Sequence, residues 1–198
     1  MNFITSDLHF GHEDIIGEAG FCSRTRGHFK SVEEMNQYLI EAHNSVVGEN
    51  DTVYHLGDFS LNLTREEVFE ILEQLNGQIH FIKGNHDRSR IMNYIERNNY
   101  KVSKNKMKYV THDVGTIVKF NKRIYHLTHY PLQLGGWNQL RSLCGHIHDK
   151  TAELPYVMNV GVDSPELPEE HPFGVPIRFS AACKLLEKKF EKSIDIEK

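Results

Sequence analysis

Several things are scarce in this chain of 198 residues. Cysteine occurs three times (Cys22, Cys144 and Cys183), an odd count with wide spacing and no C-x-x-C pair. That argues against a disulfide framework and fits a reducing compartment, so a cytoplasmic location is expected. Basic charge is short as well: 23 Lys and Arg against 27 Asp and Glu leave a net charge of −4. A protein that holds many phosphates by charge alone would be basic, so a general nucleic-acid surface is not favoured. No apolar run is long enough to span a bilayer, and no membrane association is expected. The opening residues, Met1-Asn2-Phe3-Ile4-Thr5-Ser6-Asp7, show neither the basic segment nor the long apolar segment of a signal peptide. Internal repeats, low-complexity tracts and linkers are missing too. One domain over residues 1–198 is expected, large enough to bury roughly 70% of its unfolded surface. What the chain has in excess is histidine, thirteen in all.

Hydrophobic patterning predicts short strands over residues 2–6, 52–56, 78–82, 124–128, 142–144 and 156–160, with two or three antiparallel strands within 107–128. Ser31-Val32-Glu33-Glu34 reads as a capping box opening a helix with Met35, Leu39, Ala42 and Val46 on its apolar face. Thr64 caps a second helix, with Val68, Ile71, Leu72 and Leu75 inward and Gly77 past its end. Further helices are expected over 89–96 and 179–191, and irregular loops over 20–30 and 164–176.

Five times a short apolar run ends in a residue able to bind a metal: Asp7, Asp58, Asn85, His129 and His146. In α/β sheets, ligands gather at the carboxyl ends of strands, where the turns converge. His9 and His148 follow two residues after Asp7 and His146, and in extended backbone such pairs point to one side. Two aspartates, four histidines and one asparagine exceed the needs of one tetrahedral ion and suit two adjacent ions. Mixed imidazole and carboxylate donors favour transition metals over Ca or Mg, with Mn foremost and Fe, Zn or Ni as alternatives.

Asp7-Leu8-His9, Gly57-Asp58, Gly84-Asn85-His86-Asp87, His129 and Gly145-His146-Ile147-His148 resemble, in order, the five signature blocks of the calcineurin-like metallophosphoesterase family. The small bacterial and phage-type members are most similar, through Asp7-Leu8-His9-Phe10-Gly11-His12 and Asn159-Val160-Gly161-Val162-Asp163. The resemblance implies a four-layer α/β/β/α sandwich, with two mixed β-sheets flanked by helices. It implies that Asp7, His9, Asp58 and His148 bind one divalent ion, and that Asp58, as a bridge, binds a second with Asn85, His129 and His146. It further implies attack by a hydroxide between the ions, with His86 as the general acid and Asp87 orienting it.

The expected reaction is hydrolysis of a phosphomono- or phosphodiester, with a small nucleotide-like substrate favoured because the chain has no insert of domain size. The rival readings are a nuclease of the same family, which would need a DNA-tracking surface, and a non-catalytic scaffold, which would have lost its ligands. Relatives often read G-D-x-x-D at the second block, where this chain has Gly57-Asp58-Phe59-Ser60-Leu61, so the substrate cannot be carried over from a subfamily. His12 lies close enough to the first block to reach a phosphate. Arg24, Arg26 and His28 form a basic cluster, either a solvated loop or a fork for phosphate. Trp137, Asn138 and Gln139 could line a pocket, although packing is the plainer role for Trp137. His55, His80 and His126 are expected to be structural, His43 to lie on the early helix, and His112 and His171 on surface segments.

Overall fold

The computed structural model describes residues 1–135 and 138–196, so Trp137 lies outside the described residues. In chain order the elements are β1 (Asn2–Thr5), α1 (Ser23–Arg26), α2 (Val32–Val46), β2 (Thr52–His55), α3 (Arg65–Gln74), β3 (Gln78–Ile82) and α4 (Ser89–Arg97). They continue with β4 (Lys101–Ser103), β5 (Lys106–Met107), β6 (Tyr109–His112), β7 (Gly115–Phe120), β8 (Arg123–Thr128), β9 (Leu140–Cys144), β10 (Val157–Asn159), β11 (Ile177–Arg178) and α5 (Phe179–Ile196).

Two mixed sheets flanked by helices make up the body of the structure, and β4 and β5 pair antiparallel as a separate two-stranded sheet. The first has the order β11-β1-β2-β3-β6, with its last four strands parallel, and the second the order β10-β9-β8-β7. Register runs straight across the first sheet, Phe3 opposite Val53, Val53 opposite Ile79 and Ile79 opposite Tyr109. β2 and β3 alternate half-buried with buried residues, Thr52, Tyr54, Gln78 and His80 against Val53, His55, Ile79 and Phe81, so one face of the sheet is covered more deeply than the other. On one face, Ile79, Phe81 and Tyr109 meet Met35 and Leu39 of α2, Val68 and Leu72 of α3, and Ile91 and Ile95 of α4. On the other, Ile4, Leu56 and Ile82 meet Leu127, Leu143 and Met158 of the second sheet, and Phe179, Ala182 and Leu186 of α5 join that core.

Local structure departs from expectation at several points, one being the four-residue helix α1 inside the loop expected over 20–30. The stretch 107–128 is not purely antiparallel. β6 extends the first sheet parallel to β3, because α4 carries the chain across between them, and only β7 and β8 pair antiparallel. The capping box at Ser31 is half formed: Ser31 Oγ accepts from Glu34 N at 3.1 Å, but the Glu34 carboxylate accepts from Lys30 N, one residue upstream. The reciprocal box forms instead at Thr64, between its hydroxyl, its amide and Glu67. Val46 faces solvent at the end of α2, where Val47 takes the buried place.

Candidate metal centre and active site

Parallel pairing puts the carboxyl ends of β1, β2 and β3 side by side in one sheet, and those of β8 and β9 side by side in the other. All seven expected ligands follow these ends. They do not converge through extended backbone as expected: Asp7, His9, Asp58, His146 and His148 all have positive φ, between 45° and 70°. Asp and His tolerate this left-handed region better than branched residues do, yet each such position costs on the order of 1–3 kcal/mol unless its surroundings hold it. Here they do. Asp7 N donates to Gly57 O at 3.0 Å, His9 N to Asp58 O at 3.1 Å, and His146 N to the Asp7 carboxylate at 3.0 Å. The turns also approach so closely that a Cβ on Gly84 would collide with Asp58, and one on Gly145 with Ser6 and Asp7.

The expected ligands fall into two groups, and Cys22, His148 and Asp163 form a third close set. The ligand-type atoms of Asp7, His9 and His148 lie within 4.8 Å of one another, and so do those of Asp58, His129 and His146. Asn85 Oδ1 completes the second group, 2.8 Å from His129 Nε2 and 2.9 Å from His146 Nδ1. Asp58 Oδ2 stands between the groups, 3.3 Å from His129 Nε2 and 3.7 Å from His9 Nε2. A cavity of about 670 Å³ beside Phe3, Val46 and Ile177 contains none of these residues.

Electrostatics suits the arrangement. Burial, reinforced by Arg26, pushes the His9 imidazole down to about 2, so it is neutral and free to donate a lone pair. Burial works against the charge of Asp58, but His129 and the His86 amide hold its carboxyl down at about 2. Asp7, fully buried, is pushed up to about 6 despite the nearby imidazoles, a desolvation cost that a cation would offset. His9 Nε2 is buried with no hydrogen-bond partner. An orphaned imidazole nitrogen, neutral rings and carboxylates facing one centre fit divalent transition-metal ions.

The remaining expectations divide. The His86 amide donates to Asp58 Oδ1 at 2.8 Å, while its half-buried ring sits 5.4 Å from that of His9, centroid to centroid, and makes no side-chain hydrogen bond among the described residues. Asp87, expected to orient it, makes no hydrogen bond to that ring. Its buried carboxylate accepts from the amides of Gly84, Asp58 and Phe59 at 2.8–3.0 Å, stitching the β2 and β3 turns together. His12 is nearly buried, its Nδ1 3.1 Å from His9 Nδ1, which orients the His9 ring and leaves Nε2 toward Asp58. Arg24 is exposed and donates to Asp163 O at 2.7 Å.

Arg26 is fully buried rather than part of an open basic loop. Its guanidinium is taken up by Asp163, Asp7 O and Leu8 O, so it cannot contact substrate. His112 lies in β6, not on a surface segment, with Nε2 3.2 Å from His80 Nδ1.

Three residues near the site carried no expected role. Asp163 faces both Arg26 and His148. Asn159 Nδ2 donates to His148 O and Lys150 O. Cys22 Sγ lies 3.8 Å from His148 Nδ1. Asn159 and Asp163 were legible only as part of the Asn159-Val160-Gly161-Val162-Asp163 run, and Cys22 gave no signal at all.

A family model described as calcineurin-like phosphoesterase matches residues 3–171. An uncharacterised protein of Methanocaldococcus jannaschii is 39% identical over 134 residues, which span 65% of this chain and 73% of that protein. The gene 66 protein of Mycobacterium phage L5 is 36% identical over 93 residues, 46% of this chain and 42% of the phage protein. In fold the chain is similar to a crystal structure of a protein of unknown function from Aquifex aeolicus, with a TM-score of 0.65, 23% identity and 93% and 98% of the two chains covered.

Proposed function

Because the chain belongs to the calcineurin-like phosphoesterase family and is a metal-dependent phosphoester hydrolase, we propose that it acts on a small nucleotide-like phosphomono- or phosphodiester, and that its ligands would hold two divalent ions with Asp58 serving both. The observation that carries this reading is the position of Asp58 Oδ2, within 4 Å of one imidazole from each ligand group. Asp7, His9, Asp58 and His148 would hold one ion, and Asp58, Asn85, His129 and His146 the other. Mn is the foremost candidate, ahead of Fe, Zn and Ni. Such ions supply charge neutralisation at the phosphate and a water acidic enough to attack near neutral pH.

The protein's own contribution is proton transfer and positioning. As the water oxygen bonds to phosphorus and the ester P–O bond breaks, His86 gives its ring proton to the leaving oxygen. The His86 amide, bonded to Asp58, keeps that ring in register with the ligands. His12 fixes the His9 ring, an outer contact of the kind that sets ligand orientation. Two half-exposed aromatics rim the site: Phe21 lies against His148 and His12, and Tyr130 against His146 and His129. Flat apolar faces on both sides suit a nucleobase. The three buried, unpaired cysteines suit the cytoplasm, where we place the protein.

The test is a substrate panel on Mn-loaded protein, with aryl phosphomonoester, aryl phosphodiester, 2′,3′- and 3′,5′-cyclic nucleotides and single-stranded DNA. Preference for one of the nucleotides supports the reading. Inactivity on the small esters with Mn, Fe, Zn and Ni alike, or preference for DNA, overturns it.

A further inference from the structure

Beside His86 lies a second, polar cavity of about 230 Å³, lined by Ser60 and Asn62 from the loop after β2, by His86 itself, and by Arg88 and Arg90 at the start of α4. Among the described residues neither arginine makes an ion pair or a side-chain hydrogen bond. The acid that feels Arg90, Glu66, is already paired with Arg65 at 2.7 Å. The first turn of α4 carries no acidic residue and no side-chain cap, whereas α2 and α3 each have both. Two unpaired guanidinium groups therefore stand next to the imidazole assigned to the leaving oxygen, in a chain whose net charge is negative.

We infer that this cavity is a leaving-group subsite, and that the alcohol released from the ester carries a second phosphate held by Arg88 and Arg90. The inference rests on His86 as proton donor, since that role puts the leaving oxygen at the mouth of the cavity. Guanidinium forks match phosphate oxygens in pairs, and each charge-assisted contact is roughly twice as strong as a neutral one. Size favours a small molecule over a polymer. Sites that enclose a whole ligand span roughly 300–1,000 Å³, so this one takes a phosphate and part of a sugar. The substrate class is a bisphosphorylated nucleotide in which one ester is cut and the other phosphate anchors.

The test compares Mn-loaded wild type with the Arg88→Gln/Arg90→Gln double variant, both residues being exposed. The kcat/KM ratio of thymidine 3′,5′-bisphosphate to thymidine 3′-phosphate should be at least about tenfold in wild type, the effect of one good contact. It should fall toward one in the double variant and be kept in Arg97→Gln, which removes an equal exposed charge at the far end of α4. A ratio near one in wild type, or one kept in the double variant, overturns the subsite. Equilibrium binding of thymidine 5′-phosphate, with thymidine as control, separates this from the catalytic reading because it needs no turnover. Affinity at least about tenfold weaker in the double variant upholds the subsite even if no ester is hydrolysed; equal affinity overturns it. Preference for the dinucleotide pTpT over the bisphosphate would assign the anchoring phosphate to a polynucleotide and overturn the small-molecule assignment.

Discussion

Arg26 and Asp163 form a fully buried ion pair, Nη2 to Oδ2 at 2.7 Å, and the same guanidinium donates to the backbone oxygens of Asp7 at 2.6 Å and Leu8 at 2.8 Å. The pair thus clamps the left-handed turn that presents the first candidate ligands. Burial works against the charge of Asp163, yet Arg26, followed by His148 and Thr25, holds its carboxyl well below the usual carboxylate range. Removing one partner leaves an uncompensated buried charge. Arg26→Met is therefore expected to cost about 3–5 kcal/mol in urea unfolding. Arg26→Lys should recover only part of this, because an ammonium cannot serve three acceptors in one plane. A loss under about 1 kcal/mol would show that the clamp is not structural.

Asp87 gives the second prediction. Its carboxylate satisfies three amides, one from its own turn and two from the turn after β2. Asp87→Ala strands those donors and should destabilise the fold by on the order of 3 kcal/mol, read as a lower unfolding midpoint. A residue that merely orients His86 would behave differently, costing rate while leaving the midpoint in place.

His86→Ala should reduce kcat by roughly 10²–10⁴-fold on alkyl phosphate esters, the usual range for a lost proton donor. Aryl esters with acidic leaving groups need little protonation and should lose far less. Metal content, measured by elemental analysis, should be unchanged, and loss of metal would make His86 a ligand instead.

A bridging carboxylate couples two sites. Asp58→Asn should weaken both ions together in a metal titration of the purified protein. Selective loss of one ion would assign Asp58 to a single site and remove the bridge.

Much of the site was legible because metal binding and parallel sheets both leave strong local marks. An apolar run ending in Asp58 or His129 states its place in the sheet and its chemistry within a few residues. Side-chain partners far apart in sequence leave no such mark. Nothing near Arg26 announces Asp163, 137 residues on, so a buried ion pair reads as a basic loop. The geometry of Asp7 and His9 departs from expectation for a related reason. Alternation in extended backbone is the default for residues i and i+2, but here a row of left-handed residues is imposed by contacts with the neighbouring turn. β6 pairs with β3 rather than within an antiparallel set because hydrophobic period shows that a strand exists and is silent on its partner.

A last prediction concerns acid stability and lies away from the ligands. His43 is buried in α2, with Nε2 3.0 Å from Asn76 O. Burial pushes its imidazole down from 6.5 to about 4, with Lys108 acting in the same direction and the Asn76 carbonyl opposing. Between those two values the unfolded chain binds a proton that the folded protein refuses. Its contribution to stability is therefore fully present above about pH 6.5 and is lost as the pH falls toward 4. At pH 5 the loss from this one group comes to about 2 kcal/mol. His43→Gln keeps a donor for Asn76 O but cannot be protonated. Urea unfolding at pH 7 and pH 5 should show wild type losing about 2 kcal/mol more than the variant between the two conditions, with the other buried histidines cancelling in the difference. Equal losses would mean that His43 is protonated in the folded state.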